Sequence, residues 1–303
     1  MVLVGAAVLP HGDFAYDPTL LSVPRVGNWT AAEQLHRGSE AAGAVVASLH
    51  PDTIILVTPH GLQTSWDLAI YDNSDLRGDA IVGRDLEESF GPDFPKHKYS
   101  AELDARSDLT LARGIADRLP NATLLRGWND VLPLPLRWGE VLALGHLSMR
   151  RNATRPTLSP DVVVLGLPLS RYNFSSAIAG GFRKLGHSLA AAIAAQSRRV
   201  AIVVSTDLAH THWPNTTFGF RSEAAEFDAA VGEWAATLDE HANFGRAAAV
   251  VDKVLSCGWL GTALLHGVLE ASPGGLGAWQ PTLHAAPSHP TYYGMLASSV
   301  RPA

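Results

Sequence analysis

Three apolar runs, each closing on a histidine, constrain this 303-residue chain more than any other feature. VGAAVLPHG carries His11 and TIILVTPHG carries His60. The third, VAIVVSTDLAHTHW, spans Val200 to Trp213 and runs into Ser205, Asp207, His210 and His212. Val- and Ile-rich runs of this length read as strands buried on both faces. In open α/β sheets, chemistry gathers in the crevice beyond the carboxyl ends of the strands. The polar residues that end each run therefore mark a candidate site.

The rest of the chain supplies helices between those strands. Residues 31–49 have helix-forming composition with Thr30 as N-cap. Strand two covers 53–58, and a short strand or hairpin is expected around 67–71 and 79–82. No periodicity explains 84–100, which reads as a long loop of the kind that forms lids. A helix at 101–118 is expected, then strands at 122–126 and 141–147. The prolines of WNDVLPLPLRWG, between those two strands, argue against regular structure there. Further expectations are a strand at 161–167, helices at 175–198, 222–238, 243–255 and 259–270, and a terminal edge strand after PSHPTYYGM. This alternation predicts one α/β domain over 1–303, with a largely parallel or mixed central sheet flanked by helices and the site at the strand ends.

Composition narrows the function classes. Hydrophobic residues make up 47% of the chain and charged residues 17%. The charged share lies below the ~25% usual for soluble domains, which suits a well-buried enzyme or a homo-oligomer. The net charge of -6 shows no clustering of sign, so neither nucleic acid nor an anionic membrane surface is an expected partner. No apolar stretch approaches the ~18 residues of a membrane span. MVLVGAAVLPHGDF lacks a basic leader region, so it does not read as a signal peptide. The single cysteine, Cys257, fits a reducing compartment, and a cytoplasmic location is expected. The sequons at Asn28, Asn121, Asn152, Asn173 and Asn215 are then expected to be unused.

His11 and His60, placed at strand ends, can converge on one metal ion as neutral imidazoles. A third, anionic ligand would complete such a face. Candidates are Cys257, Asp13, Asp130, Glu140 and Glu270. Cys257 opens a helix, where the dipole favours thiolate; the alternative is a small buried hydrophobe. His210 suits acid–base work, with Asp207 three residues earlier to fix its tautomer. Alternatively, Ser205 or Asp207 caps a helix start and His210 is solvated. A Ser205/His210/Asp207 hydrolase finds no G-x-S-x-G elbow. The remaining histidines show no ligand spacing, and no Walker or G-x-G-x-x-G loop supports nucleotide binding.

PHGDF near the start, TPHG about fifty residues on, STDLAH two-thirds along and PTYYGM near the end together resemble the LigB-type class III extradiol ring-cleavage dioxygenases and their Memo-like relatives. The resemblance runs in order along nearly the whole chain. It implies one α/β domain with a metal, most simply Fe(II) but open to Zn, Mn or Cu, in a cleft at the strand ends. It also implies His11 and His60 as metal ligands and His210, with Asp207 in the same motif, as the catalytic residues. The substrates implied are a catechol or 2-aminophenol ring and O2. Two positions depart from the ring-cleaving pattern. Cys257 stands where those enzymes place a glutamate ligand, as in Memo-like proteins. Asn129-Asp130-Val131 replaces an Asp-His-Gly. The alternative implied is a Memo-like metal-binding, redox or interaction protein without ring cleavage.

Overall fold

The three histidine-bearing runs become adjacent parallel strands. A computed structural model describes residues 3–22, 27–92, 94, 98–127, 132–147, 150–151 and 155–303. Strand β1 (Leu3–Leu9) is followed by α1 (Asp13–Tyr16), α2 (Trp29–Ser48) and β2 (Thr53–Thr58). Next come β3 (Leu68–Tyr71), β4 (Asp75–Val82), α3 (Asp85–Phe90), β5 (Tyr99–Arg106) and α4 (Leu109–Ala116). The middle holds β6 (Ala122–Leu125), β7 (Leu134–Leu136), α5 (Trp138–Gly145), β8 (Arg150–Arg151), β9 (Thr157–Leu158) and β10 (Asp161–Gly166). The last part runs through α6 (Arg171–Ala194), β11 (Val200–Ser205), α7 (Glu223–Thr237), α8 (Ala248–Val254), α9 (Trp259–Ala271), β12 (Trp279–Ser288) and β13 (Met295–Pro302).

The main sheet has the order β12-β13-β1-β11-β2-β10-β3-β6. Its four central strands are all parallel, while β13 and β3 run antiparallel to their inner neighbours. Every residue of β1, β2 and β11 is buried. Alternating side chains feed two separate cores, as the two-residue period of a strand requires. Ile55, Val57, Ile202 and Val204 face the α6–α9 side. Ile54, Leu56, Ala201 and Val203 face α2, α5 and a smaller sheet. That smaller sheet, β7-β4-β5-β9-β8, covers one face of the domain. The fold is therefore a mixed α/β domain whose central strands all end on the same side.

Several local expectations are corrected. Residues 101–118 are a strand and a helix, not one helix. YSAELDAR alternates exposed and buried positions as β5, and Asp108 then caps α4 by accepting from the Leu111 amide. The apolar run at 141–147 belongs to α5 instead of a strand, a common ambiguity of short apolar runs. The pieces at 67–71 and 79–82 do not form a hairpin, because β3 joins the main sheet and β4 the smaller one. The stretch 84–100 contains α3 and the start of β5 in addition to loop. Within 128–139, β7 pairs beside Leu76–Gly78 at a sheet edge, where Pro135 is tolerated. The terminal strand β13 is interior, and β12 takes the edge. Asn28, not Thr30, caps α2. Among the described residues, no helix is long and apolar enough to cross a membrane.

Candidate metal centre

Strand order builds the site. β11 lies between β1 and β2, so the loops after β1 and β2 bring His11 and His60 to either side of the Ser205–Asp207 turn. The α8–α9 turn brings Cys257 to the same point. One ligand atom from each of His11, His60 and Cys257 lies within 4.8 Å of the other two. The His11 Nε2 and Cys257 Sγ atoms are 3.4 Å apart. The two imidazoles meet edge to face, with centroids 4.7 Å apart and planes at 87°. Two glycines make the approach possible. A Cβ on Gly139 would sit 2.8 Å from the Cβ of His60, and one on Gly258 would collide with Thr206.

The protonation of His11 follows from its partners. The Ser205 hydroxyl donates to the Gly139 carbonyl at 2.5 Å. Having one proton to give, it must accept from His11 Nδ1, 2.8 Å away. Nδ1 thus carries the proton, and the Nε2 lone pair faces Cys257. Burial, and then the neighbouring His210, hold His11 well below the usual histidine range. Burial and the neighbouring His11 do the same for His60. Neither ring nitrogen of His60 has a hydrogen-bond partner among the described residues. Both rings are neutral at pH 7, the form that binds a cation.

Cys257 departs from expectation. Burial, reinforced by the nearby Asp207, pushes its thiol up, so the helix dipole does not prevail. A bound cation reverses this balance, because metal coordination deprotonates a thiol. Two lone-pair nitrogens and a sulfur that converge under burial fit a metal ion. The group can hold one.

Asp207 does not set the His210 tautomer. Its Oδ1 accepts from the His11 amide at 3.1 Å, and its Oδ2 lies 3.4 Å from His11 Nε2. Burial raises this carboxyl well above its ordinary value. His210 Nδ1 instead donates to the Leu208 carbonyl at 3.0 Å, which leaves the lone pair on Nε2. Burial outweighs the pull of the Leu208 and Leu255 carbonyls and lowers His210 to about 4. The ring is neutral at pH 7. Tyr293 stacks on it at 5.8 Å and 25°, and Phe218 meets it at 5.5 Å. The PTYYGM segment is tied to this loop by backbone bonds: Leu208 N–H donates to the Gly294 carbonyl and His212 N–H to that of Tyr292.

The other carboxylate candidates are engaged elsewhere. Asp13 accepts from the Gly83 and Asp85 amides, and burial raises it to about 8. Glu140 accepts from Tyr71 Oη at 2.7 Å and from the Arg137 amide. Glu270 pairs with Arg183 and His187. Asp130, with Asn129 and Val131, lies outside the described residues.

Of three further neighbours, Arg84 and Trp138 come from the stretches 84–100 and Trp128–Trp138, which the sequence leads one to expect along the pocket, and Arg171 from neither. Trp138 stacks on His60 at 4.2 Å and 27°. The Arg84 guanidinium lies 4.3 Å over the Trp138 ring. Arg171 is buried and donates to the Pro59 carbonyl, next to His60. No periodicity encodes these contacts. The stretch from 128 to 138 did stand out as unusual, and Trp138 closes it.

No family model matches the chain, and no curated protein is similar to it in sequence. Its structure is similar to that of the uncharacterized protein JW3007 from Escherichia coli K12. The TM-score is 0.51 with 15% sequence identity, over 98% of this chain and 99% of that one. At that identity the likeness is one of fold alone.

Proposed function

We propose that the protein is a non-haem Fe(II)-dependent oxygenase of the class III extradiol type, acting on a catechol or 2-aminophenol ring with O2. The observation that carries this reading is the convergence of His11, His60 and Cys257, with His210, neutral at pH 7, among the charges that bear on both histidines. When bound, a dication in that group supplies acidification of a ring hydroxyl and open positions for oxygen and substrate. The chain's own residues do the rest. His210 Nε2 accepts the ring hydroxyl proton and later returns it, since Nδ1 is held by Leu208. Tyr293 and Phe218 fix the imidazole in place. Ser205 keeps the His11 lone pair directed at the group. The test is Fe(II)-loaded protein in air with a panel of catechols and aminophenols. A yellow ring-cleaved semialdehyde supports the reading, and its absence across the panel rejects it.

A second reading is favoured by one specific observation, the 3.4 Å approach of Cys257 to His11. It is a Memo-like protein that binds a metal for redox or interaction purposes without ring cleavage. Soft thiolate with imidazole suits Cu, Zn or Fe. In that case Cys257→Ser changes metal content and speciation while no catechol is turned over.

A further inference from the structure

The two candidate ligand histidines are held in different ways. His11 is fixed by the hydrogen bond from its Nδ1 to Ser205, 2.8 Å away. Metal-bound histidines almost always have such a partner on the nitrogen that faces away from the ion. His60 has none on either nitrogen among the described residues, so its ring must be oriented by other means. Its loop is restrained along the backbone: the His60 amide donates to Thr58 Oγ1 at 3.3 Å, and the Leu62 amide to Tyr71 Oη at 2.5 Å. Neither bond fixes the plane of the imidazole. What meets the ring is the first turn of α5. The Trp138 indole stacks on it with centroids 4.2 Å apart and planes at 27°. Gly139 leaves room for the same side chain, since a Cβ there would lie 2.8 Å from the His60 Cβ and 3.4 Å from its Cδ2. The indole is itself covered by the Arg84 guanidinium, 4.3 Å over the ring. Asp13 Oδ2 holds the backbone on either side of Arg84, accepting from the Gly83 and Asp85 amides at 2.8 and 3.1 Å.

We infer that Trp138 is a positioning residue of the metal centre: covered by Arg84, its indole face orients the His60 imidazole where His11 relies on a hydrogen bond. Stacking restrains the plane of the ring and leaves both of its nitrogens open. One helical turn then serves both histidines, because the Gly139 carbonyl accepts the Ser205 hydroxyl that in turn accepts from His11. Arg84 gives the inference a sign. As a positive charge beyond the indole it opposes a dication. As the cover of the indole it favours one, by steadying the ring that steadies His60. The two effects act in opposite directions, so removing the charge tells them apart.

The inference rests on the metal centre proposed above and is independent of ring cleavage. The test uses the full chain, with Zn(II) affinity measured by chelator competition and the ligand-field absorption read on Co(II) loading. Trp138→Leu should lose about tenfold or more in Zn(II) affinity, as for other outer partners of metal-bound histidines, and shift the Co(II) bands. Trp138→Phe keeps a flat face and should stay within about threefold of the wild type, with the bands in place. Arg84→Gln should weaken Zn(II) binding by about threefold, and should cost nothing further in the Trp138→Leu background, where there is no indole to cover. Unchanged or tighter Zn(II) binding in Arg84→Gln overturns the inference and leaves the metal centre standing. So does a Trp138→Leu affinity equal to that of the wild type, or a Trp138→Phe affinity as low as that of Trp138→Leu. If Trp138→Leu does not fold, the direction of the change in Arg84→Gln, at an exposed residue, decides alone. Failure of the wild type to bind either metal removes both the centre and the inference. Absence of ring cleavage in the same preparations touches only the oxygenase reading.

Discussion

Ser205 has one hydroxyl proton, and the preparation of His11 as a ligand follows from where that proton goes. It goes to the Gly139 carbonyl, so the imidazole must donate from Nδ1. Ser205→Ala removes the acceptor and frees the ring to change tautomer. Outer partners of metal-bound histidines are worth roughly 10–100-fold in affinity, so a loss of that size is expected in a Zn(II) competition titration. His210 is predicted to behave in the opposite way. His210→Gln should leave metal loading within about twofold and lower turnover of any ring substrate by ~10²–10⁴, the range for losing a general base. Metal analysis and oxygen uptake on one preparation separate the two roles. At this scale the sequence was informative about His11 and His60, because residue type and position at strand ends suffice to nominate ligands, whereas Cys257, in the α8–α9 turn, was one of several anionic candidates. It was silent on Arg171, whose role depends on a contact 112 residues away, and reached Arg84 only as the start of a stretch expected to line the pocket, not through its stacked ring. It misplaced Asp207, because closeness along the chain suggested a bond that the backbone turn directs to His11.

At the scale of elements, α5 matters most after the three central strands. Its first turn presents Trp138 and Gly139 to His60. Glu140 closes its N-terminus by accepting the Arg137 amide. That carboxyl is wholly buried, and desolvation raises it to about 7 against the donors that favour its charge. The folded state therefore holds a proton that the unfolded chain releases near the ordinary value of about 4.5. Between those two values the native state binds more protons than the unfolded state, so stability falls as pH rises and levels off above about 7. The shift corresponds to at most about 3 kcal/mol. Glu140→Gln should remove this component. The difference between its urea midpoints and those of wild type across pH 4–8 measures it, and parallel curves would refute the assignment. The helical state of α5 was hard to read because VLALG is equally apolar on all sides. β5 was misread because Ala, Glu and Leu favour helices, and only its alternation, visible against a packed face, shows a strand. β1, β2 and β11 were legible because Val and Ile in unbroken runs have few other places to go.

For the whole molecule, the centre draws its parts from both ends of the chain and from its middle. His11 and Cys257 are 246 residues apart. A metal that binds only this assembled group binds the native state and not the unfolded one. Stabilisation should then follow the ligand concentration, about 2.7 kcal/mol at a hundredfold excess over the dissociation constant. Zn(II) or Fe(II) is expected to raise the melting temperature of the wild type, and chelator to reverse it. His11→Ala and His60→Ala should abolish the rise. An equal rise in those variants would place the metal elsewhere.

The register of β11 has a last consequence. Leu9 pairs with Ser205, and the alternation of Ala201 and Val203 against Ile202 and Val204 matches two cores of different shape. A slip of one residue would exchange the faces of the whole strand. It would also carry the Ser205 hydroxyl away from His11 and Gly139. The packing of a few aliphatic side chains thus decides which nitrogen of a distant imidazole bears its hydrogen. In this protein, steric fit in the interior is also an instruction about a proton.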